Sequence, residues 1–586
     1  MSSHKINLKQ PKGRELLGGD LLAQCLHQLG VRVAFGLHGG HLDAFLMGCV
    51  DVGIELIDTR HETVAVQAAE GYAKVSGKTG CCFVTANSGF CNALPGLATA
   101  FADRSPLFCI TSSPPLRDAE TNALQGFHDQ TIIAKPLTKF CHRITNVGEI
   151  PRIVSLAWRT AGTGTPGPTL VDFPIDVLFT PVDNERIAWG GATAPLSAVP
   201  GPAPGAVKEV LEMLRKAERP VVIVGTGAGK AVAEIEALVD NIGIPVFHSP
   251  KYSTKFKHTH PSHAGSAMTL ALLPALGSPQ PDLVLLLGAR TGFLLGGRSG
   301  AIIPTTEACK VIQVDIDGTE IGRSEHVALG VVSDTQLFVS SLVAELGKSS
   351  EKFRIPEPWT RTVLGLKSWK APHNESEPKI DEKNGHLHPY HAMKNLYQHL
   401  PSDSIVCIDG GEAGGWAMQL LPEARASLSM VCTGYLGFLG NGWGYSLGAA
   451  VADRETGSDR LVLNIQGDGS AGFHIAELDT YKKFGLRILT VIVNNSVWGM
   501  SKAGQEILYG HLTKERPAAI LNPSTRYDII AQGFAMPGLI VDATAQPSDS
   551  SDEDRAKTVL NAIGTAVDEI LQSKGPGLID ENQIVV

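Results

Sequence analysis

Short runs of β-branched and other apolar residues alternate, along most of the chain, with stretches whose apolar positions recur at helical spacing. That alternation predicts parallel sheets covered by helices on both faces. Three blocks separate. The first runs from about Gly13 to Asp183, with strands expected at Cys81–Thr85, Leu107–Thr111 and Thr169–Phe173. It ends in a Pro/Gly/Ala-rich stretch, Trp189 to Gly205, where periodicity is lost. The second opens with a helix over Ala206–Ala217 and a buried-type strand, Pro220–Val224, and continues through Asp282–Leu287 and Lys310–Asp315 to about Gly347. A polar stretch, Lys348 to Gly385, reads as an exposed connection. The third begins at His388, with strands expected at Ser404–Asp409, Arg460–Gln466 and Ile488–Val493. The expected fold class is α/β, with three doubly wound parallel-sheet domains over residues 13–190, 205–347 and 385–586. The first and third blocks match in size and composition, which points to two related units flanking a middle one.

Composition narrows the function classes. Of 586 residues, 43% are apolar and 19% charged, enough for packed cores and too little charge for a disordered chain. The 59 acidic residues outnumber the 50 basic ones, for a net charge of −9 without a long basic cluster, so no nucleic-acid partner is expected. The N-terminus lacks an apolar signal region, and no apolar run approaches the roughly 18 residues of a membrane span. Ten cysteines without a C-x-x-C pair fit a reducing compartment, and the C-terminal Ile584–Val586 is not a peroxisomal address. A soluble, cytoplasmic protein is expected, with no membrane partner. Glycine is abundant, at 63 residues, and such an excess collects at turns and at close backbone approaches to ligands.

The third block carries the strongest chemical signal. A buried-type strand runs into Gly467-Asp468-Gly469-Ser470, a helix of about a dozen residues follows, and a second apolar strand ends in Asn494-Asn495. Parallel strands bring their C-terminal ends to one edge, where open α/β sheets bind ligands, so Asp468 and Asn495 should converge. A carboxylate, an amide oxygen and nearby carbonyls are hard ligands suited to Mg²⁺ that also holds phosphate oxygens. The spacing resembles the signature of the thiamine diphosphate enzymes, GDG followed after about 25 residues by NN. That resemblance implies that Asp468, the Asn495 side chain and the Val497 carbonyl hold the metal, and that Gly467, Gly469 and Ser470 border the cofactor.

In the first block, Asp58-Thr-Arg-His-Glu62 and the following Thr-Val-Ala-Val-Gln-Ala-Ala-Glu-Gly-Tyr-Ala73 place a carboxylate on the first turn of a helix. Alone, that is the charge that complements a helix dipole. The segment is also similar to the RHE-x-x-A-x-x-A-x-GYA stretch of the same superfamily, whose Glu hydrogen-bonds the aminopyrimidine ring and promotes deprotonation of the thiazolium carbon. Glu62 takes that role by resemblance. The three domains then become pyrimidine-binding, central and diphosphate-binding, and a site shared between subunits implies a homodimer or homotetramer.

Within this acetohydroxyacid synthase-like superfamily, Gly36-Leu-His38-Gly-Gly-His41, Thr121-Asn-Ala-Leu-Gln125 and Gly434-Tyr-Leu-Gly437 look most like the benzaldehyde lyase branch. The resemblance implies that His41 and Gln125 face the substrate beside Glu62, with His41 relaying a proton. It also places Leu439 beneath the bent cofactor. His38 reads as structural. Ile175, Gly414 and Thr433 stand where that branch carries aromatic or His pocket residues, which implies a wider pocket. The expected activity is formation or cleavage of 2-hydroxy ketones, with an aldehyde, 2-keto acid or 2-hydroxy ketone as the small-molecule partner. A 2-keto acid decarboxylase or decarboxylating acetolactate synthase-like enzyme is the alternative; the joint presence of Glu62, Asp468 and Asn495 disfavours a silent scaffold. In the middle block, Gly225-Thr-Gly-Ala-Gly-Lys230 matches neither the dinucleotide fingerprint nor the P-loop, and is read as structural.

Overall fold

In the computed structural model, residues 5–118, 121, 123–190, 192, 199–253, 256, 259–305, 309–348, 352–368, 377–380, 385–421, 428–545 and 550–582 are described. Asn122, part of the stretch after Trp189, part of Lys348–Gly385 and the C-terminal tripeptide lie outside those residues.

The first sheet contains β1 (Val33–Gly36), β2 (Glu55–Asp58), β3 (Gly80–Val84), β4 (Leu107–Ser113), β5 (Phe140–Arg143) and β6 (Pro168–Pro174). All pairings are parallel, in the order β2-β1-β3-β4-β6-β5. In the middle domain, β7 (Pro220–Val224) and β8 (Val246–His248) are followed by a two-residue strand, β9 (Tyr252–Ser253). Then come β10 (His263–Ser266), β11 (Leu283–Leu287), β12 (Lys310–Asp315) and β13 (Leu329–Val332), and the sheet order is β10-β8-β7-β11-β12-β13. The third sheet is built from β14 (Ile405–Ile408), β15 (Leu428–Val431), β16 (Val462–Gly467), β17 (Ile488–Asn494), β18 (Gly538–Asp542) and β19 (Gly577–Asn582). Its order, β18-β19-β17-β16-β14-β15, repeats the first sheet's topology strand for strand. The middle domain's β9 joins its far edge antiparallel to β15. The three doubly wound sheets are therefore as expected, and the kinship of the first and third domains extends to strand order.

The expected strands fall within two residues of the observed ones because they are buried on both faces. β3, β4, β7 and β11 have every residue buried, and such strands read as unbroken apolar runs. Two expectations need correction. The helix after Gly469 is not continuous: Asp468–His474 is helical, Ile475–Glu477 tightens to a 3-10 turn, and Leu478–Lys483 resumes. Nor is all of Lys348–Gly385 exposed. Helix Glu357–Gly365 lays Trp359 and Val363 onto the middle core, and Trp359 Nε1 donates to the carbonyl of Pro220 (3.0 Å). Two apolar residues four apart suffice to bury that helix despite its charged face.

One apolar core spans the first and third domains, each of which also has a further core of its own, whereas the middle domain's core is separate. The shared core centres on helix Glu62–Ser76 crossing helix Asn441–Glu455. The small residues of the Ala/Gly-rich motif account for the crossing: a Cβ at Gly71 would lie 2.6 Å from the carbonyl oxygen of Tyr445, and one at Gly448 would overlap the Ala68 backbone. Backbones this close leave no room for side chains, and inside the crossing Gln67 Nε2 donates to Asn441 Oδ1 (2.6 Å) while Gln67 Oε1 has no hydrogen-bond partner among the described residues.

Candidate active site

At the C-terminal edge of the third sheet, β16 delivers Asp468 and β17 delivers Asn495 to one cavity of about 250 Å³. Asp468 is 5% exposed. Its Oδ1 accepts from the Gly469 N–H (2.7 Å), and its Oδ2 accepts from the N–H groups of Asn495 and Val497 (both 3.2 Å). Asn495 Oδ1 also accepts from the Val497 N–H (3.2 Å). The turn is held by Ser496 in the left-handed region (φ 57), a strain that a non-glycine residue accepts where surrounding contacts fix it. Burial lifts the Asp468 carboxyl to about 6 against the backbone N–H groups that favour its charged form. A buried carboxylate, an amide oxygen and a neighbouring main chain fit a hard divalent cation. The two asparagines divide their work: Asn494 is buried and donates to Asp580 Oδ1 (3.1 Å), while Asn495 lines the cavity.

The same cavity brings together Gly467, Gly469, Ser470, Val497 and Leu439 with Gly410, Gly411, Glu412, Trp416, Trp498 and Met500. Gly469 has no space for a side chain, since a Cβ there would overlap the Trp498 ring. Ser470 Oγ donates to Gln466 Oε1 (2.8 Å). Glu412 is the residue that sequence reasoning passed over. Its position just beyond β14, on the edge that carries Asp468, was the available signal. Burial raises its carboxyl above the usual range, opposed by Lys502.

Glu62, His41 and Gln125 do not line this cavity. They gather at the C-terminal edge of the first sheet: His41 follows β1, Glu62 follows β2, and the helix Ser88–Asp103 that flanks them follows β3. Glu62 is 7% exposed, and its Oε2 accepts from Asn92 Nδ2 (3.0 Å). His61 caps the helix, its Nδ1 accepting from the Thr63 N–H (3.1 Å). Gln125 Nε2 donates to Ser88 Oγ (3.2 Å), and both Gln125 (φ 60) and Asn87 (φ 43) hold left-handed backbones, cross-linked where Asn87 Nδ2 donates to the Gln125 carbonyl (2.7 Å). His41 is half-buried, and burial lowers its pKa from the ordinary value, so the ring is a neutral base at pH 7. His38 is exposed and pairs with Asp43 (2.9 Å), a local surface contact.

Another carboxylate ties the edges together. Glu477 is fully buried; its Oε1 accepts from the N–H groups of Arg60 (2.8 Å) and His61 (3.1 Å), and its Oε2 from Thr480 Oγ1 (3.0 Å). The turn that presents Glu62 is thereby fixed to the third domain, and burial pushes the Glu477 carboxyl up to about 7.

The pocket expectations fare less well. Ile175, Gly414 and Thr433 are not among the residues lining this cavity, and a Cβ at Gly414 would face Ile408 Cγ2 (3.5 Å) and the protein interior. Gly414 therefore gives the cavity no added volume. The middle domain's Gly225–Lys230 loop borders a separate cavity of about 690 Å³, together with Asp103, Lys251, Arg290 and Tyr435.

Comparison with known proteins matches three family models in order. The thiamine pyrophosphate enzyme N-terminal TPP binding domain covers residues 17–133, the central domain 207–342 and the C-terminal TPP binding domain 409–580. The chain is 29% identical to the 2-hydroxyacyl-CoA lyase 2 of Danio rerio over 573 residues, covering 92% of this chain and 88% of that protein. Its similarity to the acetolactate synthase large subunit of Mycobacterium tuberculosis is 32% over 534 residues, 90% of this chain and 91% of the relative. The human 2-hydroxyacyl-CoA lyase 2 is 28% identical, over 85% and 82% of the two chains. With its Asp468–Asn495 corner and three matched domains, the chain belongs to the thiamine pyrophosphate enzymes, whose cofactor is thiamine diphosphate with Mg²⁺ as its usual metal.

Proposed function

We propose that this enzyme is a carbon–carbon lyase and ligase that cleaves or forms 2-hydroxy ketones and related 2-hydroxyacyl compounds. The observation that carries the reading is the first sheet's edge, where a shielded acid, Glu62, and a neutral imidazole, His41, stand on successive strand ends. When bound, thiamine diphosphate supplies a thiazolium ring that takes up the electron pair released as a bond to a carbonyl carbon breaks. Asp468, the Asn495 side chain and the Val497 carbonyl would hold Mg²⁺, Gly467, Gly469 and Ser470 would border the diphosphate, and Leu439 would support the cofactor. Glu62 holds a proton at the aminopyrimidine nitrogen, and Asn92 keeps its carboxylate oriented. His41 takes the proton of the substrate hydroxyl in cleavage and returns it in ligation. Gln125, which cannot titrate, orients the substrate.

Since Glu62 and Asp468 lie on separate edges of one chain, a second copy completes the site. Exposed apolar side chains flank both halves, Leu124, Phe127 and Ile132 beside Gln125 and Met500, Ile507 and Leu508 beyond Asn495, as expected of surfaces covered in a homodimer or homotetramer.

Similarity to an acetolactate synthase favours a second reading, in which a 2-keto acid loses CO₂ before ligation. The test offers acyloins, aldehydes, 2-hydroxyacyl thioesters and 2-keto acids in parallel to purified enzyme with thiamine diphosphate and Mg²⁺. Aldehyde release or acyloin formation without CO₂ is expected; CO₂ release from 2-keto acids as the dominant turnover would replace the lyase reading with the decarboxylating one.

A further inference from the structure

One loop joins the two cavities. Between β15 and helix Asn441–Glu455, Tyr435 lies on the wall of the 690 Å³ cavity, while Gly437 and Leu439 lie on the wall of the 250 Å³ cofactor cavity. The loop is short and folded on itself, with the Phe438 N–H donating to the Thr433 carbonyl (3.0 Å) and left-handed glycines at 434, 437 and 440. The Thr433–Phe438 bond closes the turn that contains Tyr435 immediately before Leu439.

What holds Tyr435 comes from the other two domains. Asp103, the last residue of helix Ser88–Asp103, accepts the Tyr435 N–H at Oδ1 (3.0 Å), and a Cβ at Gly434 would lie 2.7 Å from the same oxygen. Lys251 of the middle domain sits 2.8 Å from Asp103 Oδ1, and its ammonium lies 4.4 Å from the centre of the Tyr435 ring. Arg290 stacks on that ring at 3.8 Å, and Lys74 approaches Asp103 Oδ2 at 3.4 Å. The Asp103 and Lys251 side chains are only 2% and 6% exposed. Residues of the first and middle domains thus meet on Tyr435 of the third, Asp103 at its backbone N–H and Lys251 and Arg290 at its ring. An ion pair buried to this degree is a poor source of stability, because desolvation consumes most of its attraction; fixing one arrangement of groups is the better-attested use.

We infer that Asp103 and Lys251 are positioning residues for the cofactor site: they hold Tyr435, and through the loop they set Leu439 against the bound cofactor. This rests on the reading that Leu439 supports thiamine diphosphate. Asp103→Asn keeps an acceptor for the Tyr435 N–H but loses the charge that holds Lys251. Lys251→Met keeps length and loses the cation.

The test titrates thiamine diphosphate into apoprotein at fixed Mg²⁺, reading the change in tryptophan fluorescence, to which the cavity residues Trp416 and Trp498 respond, for Kd and thermal melting of the same apoprotein for stability. Both variants, and Leu439→Ala, should raise the cofactor Kd by about 10–100-fold, the span seen when a group that orients a ligand-binding residue is removed. The Asp103→Asn, Lys251→Met double variant should be no weaker than the worse single one, because the pair acts as a unit. If Leu439→Ala raises Kd while Asp103→Asn and Lys251→Met lower only the melting temperature, the pair is structural and the inference is overturned. If Leu439→Ala leaves Kd unchanged, the reading of Leu439 fails and takes the inference with it.

Discussion

The first and third domains share one strand order and use the same sheet edge, yet they put different chemistry on it. In the third, the ends of the third and fourth strands, β16 and β17, carry a carboxylate and an amide held by backbone N–H groups, an arrangement for a cation and phosphates. In the first, the ends of the first and second strands, β1 and β2, carry an imidazole and a shielded acid, an arrangement for moving protons. A common scaffold thus fixes where side chains converge, and the loop residues decide what they do there. On the proposed function, neither edge is complete without the other.

Breaking the anchoring edge should have the largest effect. Asp468→Ala should abolish turnover and also the cofactor-induced rise in melting temperature, which at a hundredfold excess over Kd corresponds to about 2.7 kcal/mol. Retention of that rise in calorimetry would remove Asp468 from the metal site. Breaking the proton edge should separate binding from chemistry. Glu62→Gln should bind thiamine diphosphate nearly as wild type while hydrogen–deuterium exchange at the thiazolium C2 slows by orders of magnitude, as read by quenched-flow NMR. His41→Ala sharpens the comparison within one edge: acyloin turnover should fall about 10²–10⁴-fold, with C2 exchange near wild type. Because burial lowers the His41 pKa, the acid limb of the wild-type rate profile should fall below the ordinary histidine value of 6.5. Loss of cofactor binding in this variant would make His41 structural.

The smallest effect concerns the carboxylate that joins the edges. Glu477 titrates near 7 in the fold against an ordinary 4.5, so the native state binds its proton more tightly than the unfolded chain. Its contribution to stability is full below about 4.5 and is lost as pH rises through about 7. Glu477→Gln, which keeps an acceptor for the Arg60 and His61 N–H groups, should flatten the fall of melting temperature across that window. An unchanged slope would mean that another group causes it.

Much of this was legible in the sequence for identifiable reasons. Strands buried on both faces announce themselves as apolar runs, and the Asp468, Asn495 and Glu62 motifs sit where such strands end. The contributions of Glu477 and Asp103 were hidden because their partners, Arg60 and Tyr435, are hundreds of positions away and are engaged through backbone N–H groups, which leave no sequence pattern. β9 was hidden for a similar reason: two residues of the middle domain pair with the third domain's edge. Gly414 misled because the direction of its missing Cβ, inward toward Ile408, is a property of the helix it occupies.

Mixing two inactive proteins tests most directly whether the edges of two copies form one site. Glu62→Gln and Asp468→Ala subunits, unfolded together and reassembled at equal concentration, should regain about a quarter of wild-type activity, because half the dimers are mixed and each has one site with both native edges. If the mixture stays as inactive as its components while the reassembled wild type is active, each site draws both edges from a single chain and the account is contradicted.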